Sequence, residues 1–300
     1  MDVLPDELVS DILGRLSGSD RLAAALTSRR FLAALHKKLP QANAICVQFG
    51  TGGKCGSLYQ LPYTRWFEGR EEAQITVCQC DEHGCTHMLR LVLPLIAKDI
   101  KALALEDELY GEKMTDTSMH ALLEGCSGAP LSSLSFEHVD FSLVRPWTLA
   151  LIASFARLEQ VHLLGCTLPE GLLLRALEPS LATLRSLSVT DCGNVTDKLC
   201  SKLARAAPAL EEVTLRRCRC VTAYSVVPLL ESHDRRRAQQ LTLHLEETGF
   251  RTDQLEACMR SELMPTGREW TATRMEVEIG YRKPALLLAH SSQKAILVFD

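Results

Sequence analysis

Pairs of apolar residues that bracket a single position recur along the chain at nearly constant intervals. From Ile75 to Leu241, one pair follows another about every 27 residues, an interval within the range of known repeat proteins. Three central copies also place a cysteine shortly after the second apolar residue, and the interval between these cysteines is constant. Such a period indicates one structural unit that is repeated. These three copies are Val161, Leu163 and Cys166; Leu187, Val189 and Cys192; and Val213, Leu215 and Cys218.

The pattern continues outward with looser matches. After Leu241 the interval becomes longer, to Val277, and then shorter, to Leu297. The C-terminal end is therefore predicted to be irregular, as the terminal units of repeat arrays often are. The looser pairs are Ile45 and Val47, Ile75 and Val77, Leu103 and Leu105, Leu134 and Phe136, Leu241 and Leu243, Val277 and Ile279, and Leu297 and Phe299.

Amphipathic helices are predicted between the apolar pairs. The segment "TDKLCSKLARAAP" puts Leu199 and Leu203 on one face, offers Thr196 or Asp197 as N-cap, and has Pro208 beyond its end. Two other segments have the same character. Their inward residues are Met119, Leu122 and Leu123 in the first, and Leu255, Cys258, Met259 and Leu263 in the second.

A short strand and a helix in each repeating unit predict an α/β leucine-rich repeat solenoid, a curved parallel sheet with outer helices. The stretch from Cys192 to Asp197, "CGNVTD", and the related "CRCVTA" from Cys218 resemble the cysteine-containing class of these repeats. Cys80, Cys166, Cys192 and Cys218 share one slot in the repeat, where a buried structural role is predicted. The arginine- and cysteine-rich stretch "RRCRC" therefore belongs mainly to the repeat.

The concave surface of such a solenoid is the predicted substrate-binding surface. If each apolar pair points into the core, the residues before, between and after it face the opposite side of the sheet. The acidic positions lie on the earlier strands and the basic or titratable ones on the later strands, and Arg216 can take a carboxylate or phosphate bidentately. The candidate residues are Glu106, Glu137, His162, Thr190, Thr214, Arg216 and His244.

The first forty residues have a different pattern, typical of three short helices. Pro5 followed by two acidic residues suits a helix start, and Leu8, Ile12 and Leu16 form an apolar stripe. Gly18 is expected to end this helix, and Asp20 can cap the next. Three short helices bury too little apolar surface to be stable alone, so their apolar faces need a partner.

The order LP-x-EL-x3-IL-x2-L-x3-DR-L closely resembles an F-box, without the cysteine and tryptophan that many F-boxes carry after the second helix. The resemblance implies docking to a Skp-type adaptor and, through it, to a cullin ubiquitin ligase, while the repeats hold a protein substrate for ubiquitylation and proteasomal degradation. A protein of this kind has no catalytic residues or cofactor of its own, and it acts by raising effective concentration. The implied adaptor-binding residues are Leu4, Pro5, Leu8, Ile12, Leu13, Leu16 and Leu22.

An alternative shares the repeats but not the ligase: a leucine-rich repeat scaffold or inhibitor. The two hypotheses differ only in what residues 1–39 bind. Under either, the chain divides into an F-box-like module at residues 1–40, first irregular repeats or a linker at 41–99, leucine-rich repeats at 100–248, and irregular repeats or a cap at 249–300.

Charge and motif content argue against several other classes. The net charge of −4 is unlike that of proteins that bind the nucleic-acid backbone, and no apolar stretch approaches the about 20 residues needed to cross a bilayer. The start "MDVLPDEL" has no signal-peptide character, so a cytoplasmic or nuclear location is expected. Nucleotide-binding, zinc-protease and hydrolase motifs are absent, so no enzyme activity is predicted.

One segment offers metal chemistry. "CQCDEHGCTH" contains Cys78, Cys80, His83, Cys85 and His87, all of them possible zinc ligands. Their spacing does not match the common ligand pairs, and the repeat period already accounts for Cys80. A structural role without metal is therefore preferred over a zinc site, and no cofactor is expected.

Overall fold

The structure, a computed structural model, describes residues 5–15, 24, 44–50, 58–62, 71–78, 89–90, 93, 100–107, 115–233, 240–248, 271–279, 281–290 and 293–299. The chain divides into two compact units, Met1–Phe155 and Ala156–Asp300. Both units combine parallel strands with helices, as the α/β prediction requires. None of the helices in the described ranges is long and apolar enough to span a membrane.

The described residues of the first unit include an N-terminal helix, five strands and further helices; Ala24, Leu89, Arg90 and Leu93 are also helical. Short 3-10 helices at Phe141–Leu143 and Ala150–Ser154 flank the last helix. The elements are α1 (Asp6–Arg15), β1 (Ala44–Gly50), β2 (Leu58–Pro62), β3 (Glu71–Cys78), β4 (Ala102–Asp107), α2 (Asp116–Gly125), β5 (Ser133–Glu137) and α3 (Pro146–Leu149).

The second unit has alternating strands and helices, followed by three strands. Short 3-10 helices lie at Glu178–Ser180 and Ala223–Ser225. The elements are β6 (Gln160–Leu164), α4 (Glu170–Leu177), β7 (Ser186–Thr190), α5 (Asp197–Ala206), β8 (Glu212–Arg216), α6 (Val226–His233), β9 (Gln240–Glu246), β10 (Thr271–Ile279), β11 (Tyr281–His290) and β12 (Gln293–Phe299).

In the first unit the strand order is β5-β4-β1-β3-β2, with only β2 antiparallel to its neighbour. The spatial order therefore departs from chain order, because β1 lies between β4 and β3. Ile45 and Val47 of β1 align with Leu103 and Leu105 of β4, which confirms the pairs expected in those strands. On β3 the residue beside Val47 is Ile75, so the aligned pair starts two residues earlier than the predicted Ile75 and Val77.

In the second unit β6, β7, β8 and β9 are parallel and adjacent in chain order, and β12, β11 and β10 follow β9. Leu243 of β9 aligns with Val213, and Leu245 aligns with Leu215. The expected pair Leu241 and Leu243 is thus displaced by two residues. All three leucines of β9 are buried, and a shift of two residues keeps each side chain on the same face, so the sequence pattern cannot fix this register.

The apolar pairs form the core of both units. Leu103, Leu134, Leu187 and Val213 are at most 1% exposed. Helix α5 contributes Leu199 and Leu203 from the predicted inner face, and α2 contributes the buried residues Met119, Leu122 and Leu123. The predicted helical face that includes Leu255 and Cys258 lies outside the described residues.

A left-handed residue follows each strand from β5 to β9. These residues, with φ between 47° and 62°, are His138, Gly165, Asp191, Arg217 and Glu247. In the second unit the backbone N–H of this residue donates to the last carbonyl of the next strand, at 2.8 Å from Gly165 to Thr190 and 2.9 Å from Asp191 to Arg216. The turn therefore joins neighbouring strands. In three copies the residue directly after the left-handed residue is a buried cysteine, namely Cys166, Cys192 or Cys218.

The first residue of a helix repeatedly bonds to the following repeat. Asp116 of α2 accepts a hydrogen bond from the backbone N–H of Arg145 at 2.8 Å. Asp197 of α5 accepts from the backbone N–H and the hydroxyl of Thr222, both at 2.7 Å. Helix dipoles favour acidic residues at these positions. These acidic residues also link one repeat to the next.

Candidate protein-binding surfaces

The N-terminal helix α1 exposes an apolar face, defined here by Pro5, Leu8 and Ile12. Leu8 is 48% exposed and Ile12 40%, whereas their neighbour Val9 is 1% exposed. The carbonyl of Pro5 accepts hydrogen bonds from the backbone N–H groups of Leu8 and Val9 at 3.1 Å, which starts the helix directly after the proline, as predicted.

Leu8 and Ile12 are one turn apart, so their side chains are neighbours on the helix surface. Asp11 and Arg15 form an exposed ion pair at 3.0 Å beside them. Helix α1 is described from Asp6 to Arg15, and its predicted end at Gly18 lies outside the described residues. The side chain of Leu13 is not among those described, and Leu4, Leu16 and Leu22 lie outside the described residues.

The second surface, the strand face, consists of the side chains of β6 to β9 that alternate with the buried apolar pairs. The parallel register arranges them in rows across the strands. One row contains His162, Ser188, Thr214 and His244, and the next contains Leu164, Thr190, Arg216 and Glu246. The structure therefore brings His162, Thr190, Thr214, Arg216 and His244 together on one side of the sheet in the second unit.

Arg216 has a partner that the sequence pattern did not predict. Its Nε lies 2.7 Å from a carboxylate oxygen of Glu246, and Glu246 is only 12% exposed while Arg216 is 43% exposed. The predicted pair Leu241 and Leu243 implies a register in which His244 lies beside Arg216. In the observed register, shifted by two residues, Glu246 lies there instead. The observed register of β8 and β9 corresponds to an alignment of "RRC" at 216–218 with "EET" at 246–248.

Glu212 is held between two strands by polar contacts. One carboxylate oxygen lies 3.4 Å from Nε2 of His244, and the other accepts a hydrogen bond from the Ser186 hydroxyl at 3.3 Å. The hydrogen-bonding contact with His244 lowers the pKa of Glu212 below its usual value. This carboxylate is therefore ionised near neutral pH, with 49% of the side chain exposed.

The corresponding side of β4 and β5 in the first unit is closed to solvent. Ala102, Ala104, Ser133 and Ser135 are all buried. Glu137 is 2% exposed, so its side chain is buried, contrary to the open surface expected for it. Glu106 at the end of β4 is partly exposed. A direct role of Glu106 and Glu137 in substrate binding stays a prediction.

The repeated cysteines occupy a buried slot. The Sγ atoms of Cys166, Cys192 and Cys218 lie 3.3 to 3.4 Å from the carbonyl oxygen two residues earlier. Burial raises the pKa of Cys218 to about 11, so its thiol stays protonated near neutral pH. A hydrogen bond with Cys166 lowers the pKa of Cys192.

Most of the possible zinc ligands lie outside the described residues. Cys78 ends β3, but its side chain is not described, and Cys80, His83, Cys85 and His87 lie outside the described residues. Among the residues that the structure does describe, no group of three or more histidine, cysteine, aspartate and glutamate side chains is placed to hold a metal ion.

Comparison with known families finds a match in the N-terminal part of the chain. Residues 1–39 match the family model described as F-box-like. The match supports an F-box protein and suggests binding to an SCF-type adaptor; F-box proteins are typically not catalytic. A search of curated proteins gave no match to the chain.

Proposed function

We propose that the protein is a non-catalytic substrate receptor of an SCF-type cullin ubiquitin ligase. Residues 1–40 dock on a Skp-type adaptor, and cysteine-type leucine-rich repeats at residues 100–248 hold a protein substrate that is marked for proteasomal degradation. The observation that carries the proposal is the exposed pair Leu8 and Ile12 inside the segment that matches the F-box-like model.

The first step of the proposed function is adaptor docking by α1. Two neighbouring apolar side chains that are about half exposed on a helix offer an anchor for a partner, since helix-in-groove recognition uses residues spaced by three and four. The second step is substrate binding on the strand face, where Glu212 and Arg216 present opposite charges on one side of the sheet. Irregular repeats at residues 41–99 and 249–300 flank the array, and the protein acts in the cytoplasm or nucleus.

Removal of residues 1–39 separates the ligase hypothesis from the alternative of a free scaffold or inhibitor. We expect the full chain to co-purify with a co-expressed Skp-type adaptor and the truncated chain to lose it, because the docking helices are gone. Circular dichroism checks that the truncated chain keeps its helix and strand content. Adaptor recovery that is equal for both chains would exclude docking through this segment.

Substrate binding on the strand face is tested by placing a bulky side chain at the centre of this surface. Ser188→Trp places an indole in the middle of the strand face, and we expect it to lower the yield of proteins crosslinked to the chain in cells while adaptor binding is kept. Lys198→Trp, which places the same indole at an exposed position of α5, is the control. The same crosslinked proteins at the same yield in all three chains would place substrate binding elsewhere.

A further inference from the structure

We infer that the strand face recognises an extended protein segment carrying a basic and an acidic residue four positions apart. The inference rests on the proposed function, and it specifies the substrate chemistry at that surface. It follows from the charge, exposure and spacing of Glu212 and Arg216 on β8.

The two residues are the ends of one strand and point to the same side of the sheet. Glu212 and Arg216 are four positions apart, which is about 13 Å at roughly 3.3 Å per residue in a parallel strand. Thr214, the residue between them on this face, is uncharged. The strand therefore presents a negative and a positive group at a fixed distance.

Contacts within the protein hold both charges in place and leave them accessible. Glu212 is fixed by His244 and Ser186 and is 49% exposed. Arg216 is fixed by Glu246 and is 43% exposed, whereas Glu246 is largely covered at 12%. An approaching segment thus meets the Glu212 carboxylate and the Arg216 guanidinium more than it meets Glu246, or His244, which is 15% exposed.

Strand β7 carries the shortest side chains beside these charges; Ser186 and Ser188 are partly exposed, and Thr190 is buried. Its residues on the strand face are Ser186, Ser188 and Thr190, whose side chains are shorter than Gln160 and His162 on β6 and than Glu212 and Arg216 on β8. A segment lying over β7 in an extended conformation advances at the same rate per residue as β8. Its residues i and i+4 therefore reach the levels of Glu212 and Arg216.

Charge complementarity sets the identity of those two residues. A lysine or arginine at one position faces Glu212, and an aspartate or glutamate four positions away faces Arg216, while like charges at either place are repelled. The partly exposed hydroxyl of Ser188 offers a donor and an acceptor to the backbone of the segment between them.

The test is selection from a random 12-residue peptide library displayed on phage, panned against the full chain and against its Glu212→Lys variant. We expect peptides enriched on the wild-type chain to carry a basic and an acidic residue four apart. Peptides enriched on Glu212→Lys should instead carry two acidic residues four apart. Individual peptides of the first kind should bind the variant about tenfold more weakly, because an exposed attraction becomes a repulsion. Glu212→Gln, which keeps the size of the side chain, should give an intermediate loss.

Three outcomes overturn the inference: no enriched peptides, enrichment without this charge spacing, or the same peptides selected by wild type and Glu212→Lys. The proposed function is tested separately in the same proteins. If charge-independent peptides bind the wild type and lose binding in Ser188→Trp, the strand face is a binding surface and only the charge rule fails. If co-purification with the adaptor fails, the ligase hypothesis fails whatever peptides are selected.

Discussion

Replacement of both Leu8 and Ile12 by aspartate will abolish co-purification of the full chain with a Skp-type adaptor. Both side chains lie on the exposed face of α1, 48% and 40% exposed, so charge at these positions has little effect on the core of the unit. In a complex the same charges would be buried without partners. We expect adaptor binding to weaken by about 100-fold or more, about 3 kcal/mol, as for the loss of central apolar anchors in other interfaces.

Leu143→Asp is the matched control for this experiment. Leu143 is 52% exposed in the same unit but belongs to a 3-10 helix outside the segment that matches the F-box-like model. The control introduces one of the same leucine-to-aspartate replacements at similar exposure, and circular dichroism should show both proteins folded. Adaptor recovery from the Leu8→Asp/Ile12→Asp protein that equals recovery from Leu143→Asp would contradict docking by this face.

The repeated core of the second unit could be predicted from sequence because its determinants are local. Alternation around Val161, Leu187 and Val213 places these residues in the core whatever the neighbouring strand is. The cap of α5 is equally local: the hydroxyl of Thr196 accepts from the backbone N–H of Lys198 at 3.2 Å, as the sequence "VTDK" indicates. Such features depend on residues within one turn of each other.

Strand order could not be predicted in the same way. The apolar pairs of β1, β3, β10 and β12 follow the repeat pattern, but β1 lies between β4 and β3, and β12 rather than β10 lies beside β9. Alternation shows which face of a strand is buried and carries no information on which strand pairs with it. A repeat array predicts that strands lie side by side in chain order. This order fails at the C-terminal end, where the intervals are irregular, and also between β3 and β4, where the interval is regular.

The same difference between local patterns and long-range packing applies to the candidate surfaces. The exposed pair on α1 was recognisable because a helix stripe is a local pattern, and the F-box-like match covers it. On the strand face, Arg216 was recognisable but Glu246 was not, because their contact depends on the register of β8 and β9. The burial of Glu137 likewise depends on packing that no local pattern encodes.

Contacts between successive helices give the largest expected effect on stability. Glu170 is the first residue of α4, and its carboxylate accepts hydrogen bonds from the backbone N–H of Thr196 at 2.8 Å and of Leu199 at 3.1 Å. The Thr196 hydroxyl also donates to it, at 2.9 to 3.0 Å. One helix thus caps the start of the next, in a partly buried site where a charged acceptor contributes more than it does at the surface.

Glu170→Ala removes this acceptor and leaves the backbone N–H of Thr196 without it. We expect a loss of about 2 to 3 kcal/mol in the free energy of unfolding, and a thermal midpoint lower by about 5 °C when followed by circular dichroism. Glu170→Gln keeps one oxygen acceptor, so its thermal midpoint should lie between those of the wild-type chain and Glu170→Ala. The matched control is Glu178→Ala, which removes an exposed carboxylate that pairs with Lys202 at 2.8 Å and should leave the midpoint unchanged. Equal midpoints for Glu170→Ala and Glu178→Ala would show that the hydrogen bonds between repeats contribute no more to stability than a surface ion pair.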